Sequence, residues 1–235
     1  MAGNEQTTKL YTELAQNPNK DFDGGKGLAN EFRQTHWDTL FRTKDYTHVL
    51  WHQESPIISF NLIQEYASKE DFIIDVGCGA SFLVDNLIES LYKNLTLLDI
   101  SQTSLELVKK RLQENGSVPT YICSDILNFK SSKKFNLWHD RAVFHFLLQK
   151  KERDKYFEIL KDSLHLGGVA IISTFRVGGQ TQCAGLDIVQ YDEDKMKAEL
   201  PQGMELLSYD EFVHHTPKQT QQEYCAFVIR KTSES

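Results

Sequence analysis

An apolar run closed by an acid, two glycines one residue apart, then a second apolar run: "DFIIDVGCGASFLV", residues 71–84, constrains this chain more than any other stretch. "DFIIDV" reads as a short buried strand. "ASFLVDNLIESLY" has the spacing of an amphipathic helix. Gly77 and Gly79 fall in the turn between them. Glycine there lets the backbone turn tightly and lets a ligand approach without meeting a Cβ. In open α/β sheets ligands bind at the carboxyl ends of the strands, near the point where strand order reverses. A glycine pair by itself also occurs at strand–helix turns that hold no ligand.

The following sequence keeps alternating. "NLTLLDIS", "PTYICSD", "KFNLWHDRA" and "VAIISTF" read as strands. "SQTSLELVKKRLQENG" and "ERDKYFEILKDSLHLGG" read as helices with glycine stops, the second at Gly167 and Gly168. "MELLSYDEFVHHT" and "QQEYCAFVIRK", joined by "PKQT", read as a closing antiparallel hairpin. Such alternation predicts a doubly wound, mostly parallel α/β sheet. Residues 1–30, polar and ending in "DFDGGKGLAN", read as a flexible N-terminal extension. Residues 31–70 are rich in aromatics, with a helix expected after Pro56, and read as a helical lid. Residues 71–235 make the core sheet.

Two further acids bear on the glycine turn. Asp99 ends the second strand, where a carboxylate can accept both hydroxyls of a ribose. Asp125 ends the third, where it can accept from an adenine amino group while Ile126 covers the ring. Any one of these acids would serve equally as a cap for the next helix or turn. Three acids, with Asp75, at three successive strand ends favour a nucleotide-like ligand. A dinucleotide pattern would need a small residue at Phe82, and no phosphate-binding P-loop is present. Tyr191 and Lys195 have the spacing of a short-chain dehydrogenase pair but lie in an acid-rich stretch after the fifth strand.

The net charge of −7 argues against a broad nucleic-acid surface. No apolar run is long enough for a membrane span, and the N-terminus has no targeting character. Cys78, Cys123, Cys183 and Cys225 show no metal spacing, so no metal is expected, and they read as reduced thiols of a cytoplasmic monomer.

"IIDVGCGAS", "LTLLDIS", "CSDI" and "FNLWHDRAVFHFL" together resemble the class I S-adenosylmethionine-dependent methyltransferases, over residues 31–230. The third glycine of that family's turn is Ser81 here. More narrowly, "HWDTLF", "WHQ" and "HHTP" resemble a group of small bacterial-type members. "HDRA" resembles a turn of thiopurine-type S-methyltransferases, and "THWDTLF" an N-terminal segment of protein-lysine methyltransferases. The resemblance implies a Rossmann-like sheet of seven strands and S-adenosylmethionine as cofactor. It implies that Asp75, Gly77, Gly79, Ala80 and Ser81 hold the methionine end, Asp99 and Ile100 the ribose, and Asp125 and Ile126 the adenine. His139 and Asp140 would face the methionine amino group and the methyl. A bound carboxylate wants an indole N–H or a guanidinium, and Trp37 and Arg42 are candidates.

Methyl transfer is an in-line displacement, so catalysis is mostly alignment and desolvation. A base matters only for an acceptor protonated at neutral pH, such as a lysine with a pKa of ~10.4. His139, Asp140, His145 and His215 are the candidate bases, although His145 also reads as a buried helix residue. The Asp140–Arg141 turn, with His139 before it, is the expected catalytic element. Trp37, Phe41, Tyr46 and Trp51 read as a lid over the cofactor, and "RVGGQTQCAGLDIVQYD" as a loop over the substrate. The acceptor is expected to be a small molecule, with sulfur as one candidate atom. A protein lysine is the alternative, and a non-catalytic binding module a third reading. No nucleic acid or membrane partner is expected.

Overall fold

The computed structural model describes residues 26–113 and 119–234. In chain order the helices are α1 (Lys26–Thr43), α2 (Ile57–Tyr66), α3 (Leu83–Glu89), α4 (Gln102–Leu112), α5 (Lys150–Ser163) and α6 (Glu193–Glu199). The strands of the large sheet are β1 (Phe72–Val76), β2 (Asn94–Asp99), β3 (Thr120–Cys123), β4 (Phe135–Arg141), β5 (Leu164–Phe175), β8 (Met204–His215) and β9 (Gln221–Lys231). A small hairpin, β6 (Gln182–Cys183) with β7 (Leu186–Asp187), interrupts the loop after β5.

The large sheet runs β3-β2-β1-β4-β5-β9-β8. The first five strands are parallel, while β9 pairs antiparallel with β5 and β8 antiparallel with β9. This is the seven-stranded, mostly parallel sheet with a C-terminal antiparallel hairpin that the sequence predicts. Strand order reverses between β1 and β4, so the ends of those two strands flank the crevice.

Period-two alternation splits each strand between two cores. Ile74, Val76, Trp138, Ala170 and Ile172 pack with Tyr156, Phe157 and Leu160 of α5. Ile73, Leu97, Leu137 and Ile171 pack on the other face with Ile63 of α2, Leu87 of α3 and Val108 of α4. Ser101 caps α4 by accepting from Ser104 N (3.2 Å), and Lys109, Lys110 and Arg111 suit the negative end of its dipole. The glycine stop expected for α4 lies outside the described residues.

Two boundaries differ from the sequence reading. α5 stops at Ser163, ahead of the glycine pair, because Leu164 is buried and pairs with Phe135 of β4. Gly167 and Gly168 instead serve a register shift within β5. Gly167 has φ +80°, and a Cβ on Gly168 would lie 2.9 Å from the His165 carbonyl. α1 already begins at Lys26, inside the stretch read as a flexible extension, while residues 1–25 lie outside the described residues. Among the described residues no helix is long and apolar enough to cross a membrane.

Candidate active site at the carboxyl ends of the strands

The β1–α3 turn is built on backbone that only glycine suits. Gly77 and Gly79 have φ +64° and +53°. A Cβ on Gly77 would stand 2.0 Å from Val143 Cγ2, and one on Gly79 would stand 3.2 Å from the Phe41 ring. Gly77 N donates to the Leu98 carbonyl (2.7 Å), which ties the turn to β2. From outside, Arg111 of α4 locks it. Its Nη1 and Nη2 donate to the carbonyls of Ala80 (3.0 Å) and Ser81 (2.7 Å), while Nε and Nη2 fork onto Asp85. The sequence reading missed Arg111, and no local signal marks it, because the contact crosses two elements.

A cavity opens over this turn. Asp75, Gly77, Gly79 and Ser81 line it beside β1. Asp99 and Ile100 line it after β2, and Asp125 and Ile126 after β3. His139 and Arg141 contribute from β4, and Trp37 from α1. These expected site residues are brought together.

Three others are not. Ala80 is buried against Leu40 and Phe41 and stays out of the cavity. Arg42 is exposed on the far side of α1, where it donates to Thr39 Oγ1 (3.4 Å). Asp140 is fully buried on the α5 face. It accepts from Tyr156 OH (2.6 Å), Val143 N (2.9 Å) and Phe144 N (3.1 Å). The reason is parity: Trp138 and Asp140 share the α5 face, whereas His139 and Arg141 face the other side. Asp140 therefore faces α5 and not the cavity. It holds the turn in which Ala142 takes φ +71° and in which Arg141, Val143 and Phe146 reach the cavity. His145 is fully buried, with its pKa pushed down to about 3 by burial, and neither it nor His215 lines the cavity.

The acids differ in their surroundings. Asp99 Oδ2 accepts from Gly79 N and Oδ1 from Ser101 N, both at 2.8 Å, and burial raises its pKa to about 6. It is thus more deeply embedded than a bare strand end suggests. Asp125 lies two residues past β3 and caps a short 3-10 turn, with Oδ1 accepting from Leu127 N (2.9 Å). Its Oδ2 is buried and accepts no hydrogen bond, though Arg33 Nε of α1 lies 3.4 Å away. Asp75 sits inside β1 opposite His139 of β4. Its Oδ1 lies 2.7 Å from His139 Nδ1, and His139 Nε2 lies 2.9 Å from Ser59 Oγ of α2. Ser59, which the sequence reading missed, also lines the cavity.

The roof comes from residues before β1. Asp38 of α1 accepts from Ser101 Oγ (2.6 Å) and Thr103 N (3.1 Å), pinning α1 to the start of α4. Trp37 packs edge-on against Phe146 (5.4 Å between centroids) and Trp51 (6.0 Å). Phe41, Tyr46 and Trp51 join it in the wall, and Cys183 of β6 closes the same side. Burial pushes the Tyr46 phenol and the Cys183 thiol up to about 12, so both are neutral.

The cavity suits a nucleoside carrying a cationic amino-acid tail. The glycine turn leaves bare backbone, Asp125 Oδ2 is ion-paired with Arg33 but accepts no hydrogen bond, and the acids crowd one side. Among the described residues no cluster of His, Cys, Asp or Glu is placed to hold a metal ion.

Residues 67–228 match a family described as "Methyltransferase domain". The chain is 29% identical over 110 residues to malonyl-[acyl-carrier protein] O-methyltransferase 2 of Ilyobacter polytropus, covering 46% of this chain and 41% of that protein. It is 28% identical over 120 residues to a ubiquinone biosynthesis O-methyltransferase of Rickettsia canadensis, covering 51% and 49%. The match thus spans less than half the length of each of these curated relatives. A crystal structure of an S-adenosylmethionine-dependent methyltransferase from Anabaena variabilis has the same fold. Its TM-score is 0.66 at 16% identity, covering 86% of this chain and 95% of that one.

Proposed function

This chain belongs to the class I S-adenosylmethionine-dependent methyltransferases, and we propose that it methylates a small-molecule acceptor held beneath α1. The observation that carries this reading is the division of one cavity. Its β1–β2–β3 side offers bare backbone and acids, and its other side offers aromatic rings and Arg141.

The donor, when bound, supplies a methyl carbon whose sulfonium leaving group departs without protonation. Asp75 and the backbone at Gly77 would take its ammonium. Asp99 would accept from the ribose hydroxyls, and Asp125 Oδ2 from the adenine amino group, with Ile100 and Ile126 flanking the base. Trp37, Phe41 and Tyr46 exclude water from the methyl, which strengthens every polar contact inside.

The acceptor is one that needs little help to lose its proton. The cavity acids are committed to the donor, both His139 nitrogens face partners, and Asp140 lies outside. That disfavours a protein lysine, which must shed a proton at a pKa of ~10.4. Both curated relatives are O-methyltransferases by name, which sets oxygen beside sulfur as a candidate accepting atom.

Incubation with labelled donor and a cell extract, followed by separation of protein from metabolites, tests the reading. Label is expected in the small-molecule fraction. Label in protein alone would support the lysine alternative.

A further inference from the structure

Arg141 carries the one cavity-lining guanidinium on the acceptor side, and its hydrogen bonds are incomplete. Nη1 donates to the Trp51 carbonyl (3.1 Å). Nε and Nη2 are shut away from solvent and donate to nothing. Among the described residues no carboxylate pairs with this group. A buried cation without a counter-charge is costly, because desolvation is not repaid by any attraction.

Six titratable groups that feel its charge are neutral. Burial holds His52, His145 and His214 down. Burial pushes Tyr46, Cys183 and Tyr224 up. Six neighbours therefore leave one fixed positive charge unanswered.

The two idle donors lie along one edge of the guanidinium plane. That edge matches the two oxygens of a carboxylate in a bidentate fork. The opposite face is braced: Arg141 Cζ stands 5.0 Å from the centroid of the Tyr224 ring, a cation–π contact.

Position decides whose anion it is. The donor turn follows β1, whereas Tyr224 lies in β9, with β4 and β5 in between. The guanidinium thus leans away from the donor, toward the wall made by Trp51 and Cys183.

We propose that Arg141 anchors a carboxylate on the methyl acceptor, so that the acceptor class is an organic acid with an apolar body. This rests on the methyltransferase reading above. Turning the idle edge into the cavity exchanges the Trp51 carbonyl for the acid, and the aromatic wall receives the body. The anchored carboxylate orients the acceptor and takes no part in the bond that forms.

The test uses protein saturated with S-adenosylhomocysteine, titrated calorimetrically with benzoate and hexanoate against benzamide and hexanamide. At least one acid is expected to bind tenfold or more tightly than its amide. Arg141→Met should abolish that preference while changing affinity for S-adenosylhomocysteine by less than threefold. Arg141→Lys, which keeps the charge and loses the fork, should retain part of it. Equal binding of acid and amide by the wild type overturns the proposal and leaves the methyltransferase reading intact. A tenfold loss of S-adenosylhomocysteine affinity in both variants also overturns it, because the anion on Arg141 is then the donor's own carboxylate. A wild-type protein that takes no S-adenosylhomocysteine overturns both.

Discussion

Asp75 and His139 face each other across the β1–β4 pair, with Oδ1 2.7 Å from Nδ1. A carboxylate at Nδ1 fixes a hydrogen there, and in the neutral ring Nε2 then accepts from Ser59 Oγ at 2.9 Å. The hydroxyl of Ser59 is thereby spent on the ring, and its oxygen lone pairs remain for the cavity. Ser59→Ala should strip the buried Nε2 of its donor and cost about 1–3 kcal/mol. Asp75→Asn, whose amide oxygen can still accept from Nδ1–H, should cost less than Asp75→Ala. Denaturant midpoints of the three variants check the order.

Asp99 should give donor binding a pH dependence. Its pKa is raised to about 6, and ribose hydroxyls are best held by the ionised form. Affinity for S-adenosylhomocysteine should therefore be full above about pH 6 and fall about tenfold per pH unit below it. Asp99→Asn should be weaker by about 1.5–3 kcal/mol at neutral pH and flat across pH 5–7. Calorimetry over that range settles the point. Asn is the better probe than Ala, since Gly79 N and Ser101 N both depend on this side chain.

Asp140 should behave as a positioning residue. Asp140→Ala leaves Val143 N, Phe144 N and Tyr156 OH buried without their acceptor, at about 1–3 kcal/mol each, though not additively. Thermal unfolding should show the loss directly. Asp140→Asn keeps an oxygen for the two backbone donors and should restore most turnover. A base in the reaction would lose turnover equally in both variants.

The glycine turn separates two kinds of strain. Gly77→Ala meets Val143 Cγ2 at 2.0 Å, adding about 1–3 kcal/mol of overpacking to a left-handed cost of about 1–2 kcal/mol. Gly79→Ala meets only the far end of the Phe41 ring at 3.2 Å. Pairing Gly79→Ala with Phe41→Leu should recover the contact part and leave the backbone part. Differential scanning of the single and double variants measures both.

The α1 roof should report on the donor. Trp37→Ala removes edge-on contacts to Phe146 and Trp51, worth about 0.5–1.5 kcal/mol per aromatic pair, and should lower donor affinity and turnover. Removing residues 1–25 should leave donor affinity nearly intact. Hydrogen exchange should show residues 31–54 better protected with S-adenosylhomocysteine than without. Equal protection in the two states would count against a lid.

The sheet and the cavity lining around the glycine turn were legible because their signals are local. Gly77 and Gly79 sit one residue apart, Asp99 closes an apolar run, and each strand carries its own pattern. The contacts that brace the cavity join distant segments. Ser59 meets His139 across 80 positions, Arg111 meets Ala80 across 31, and Arg141 meets Trp51 across 90. Asp140 and His139 are neighbours whose roles were assigned together, yet strand alternation sends them to opposite faces. Setting Leu137 against Trp138 by parity would have separated them. Arg42 failed for a related reason: α1 presents Trp37 and Phe41 inward, and Arg42 lies one residue off that stripe.

Asp38 fastens α1 to Ser101 and Thr103, two and four residues beyond Asp99. The wall of the acceptor's chamber is thus hung from the floor of the donor's. A donor held at Asp99 would brace Ser101 and, through Asp38, the wall that receives the acceptor. Turnover should consequently follow a compulsory order, with the donor entering first and the spent nucleoside leaving last. Product-inhibition kinetics would display this as S-adenosylhomocysteine competing with the donor and not with the acceptor.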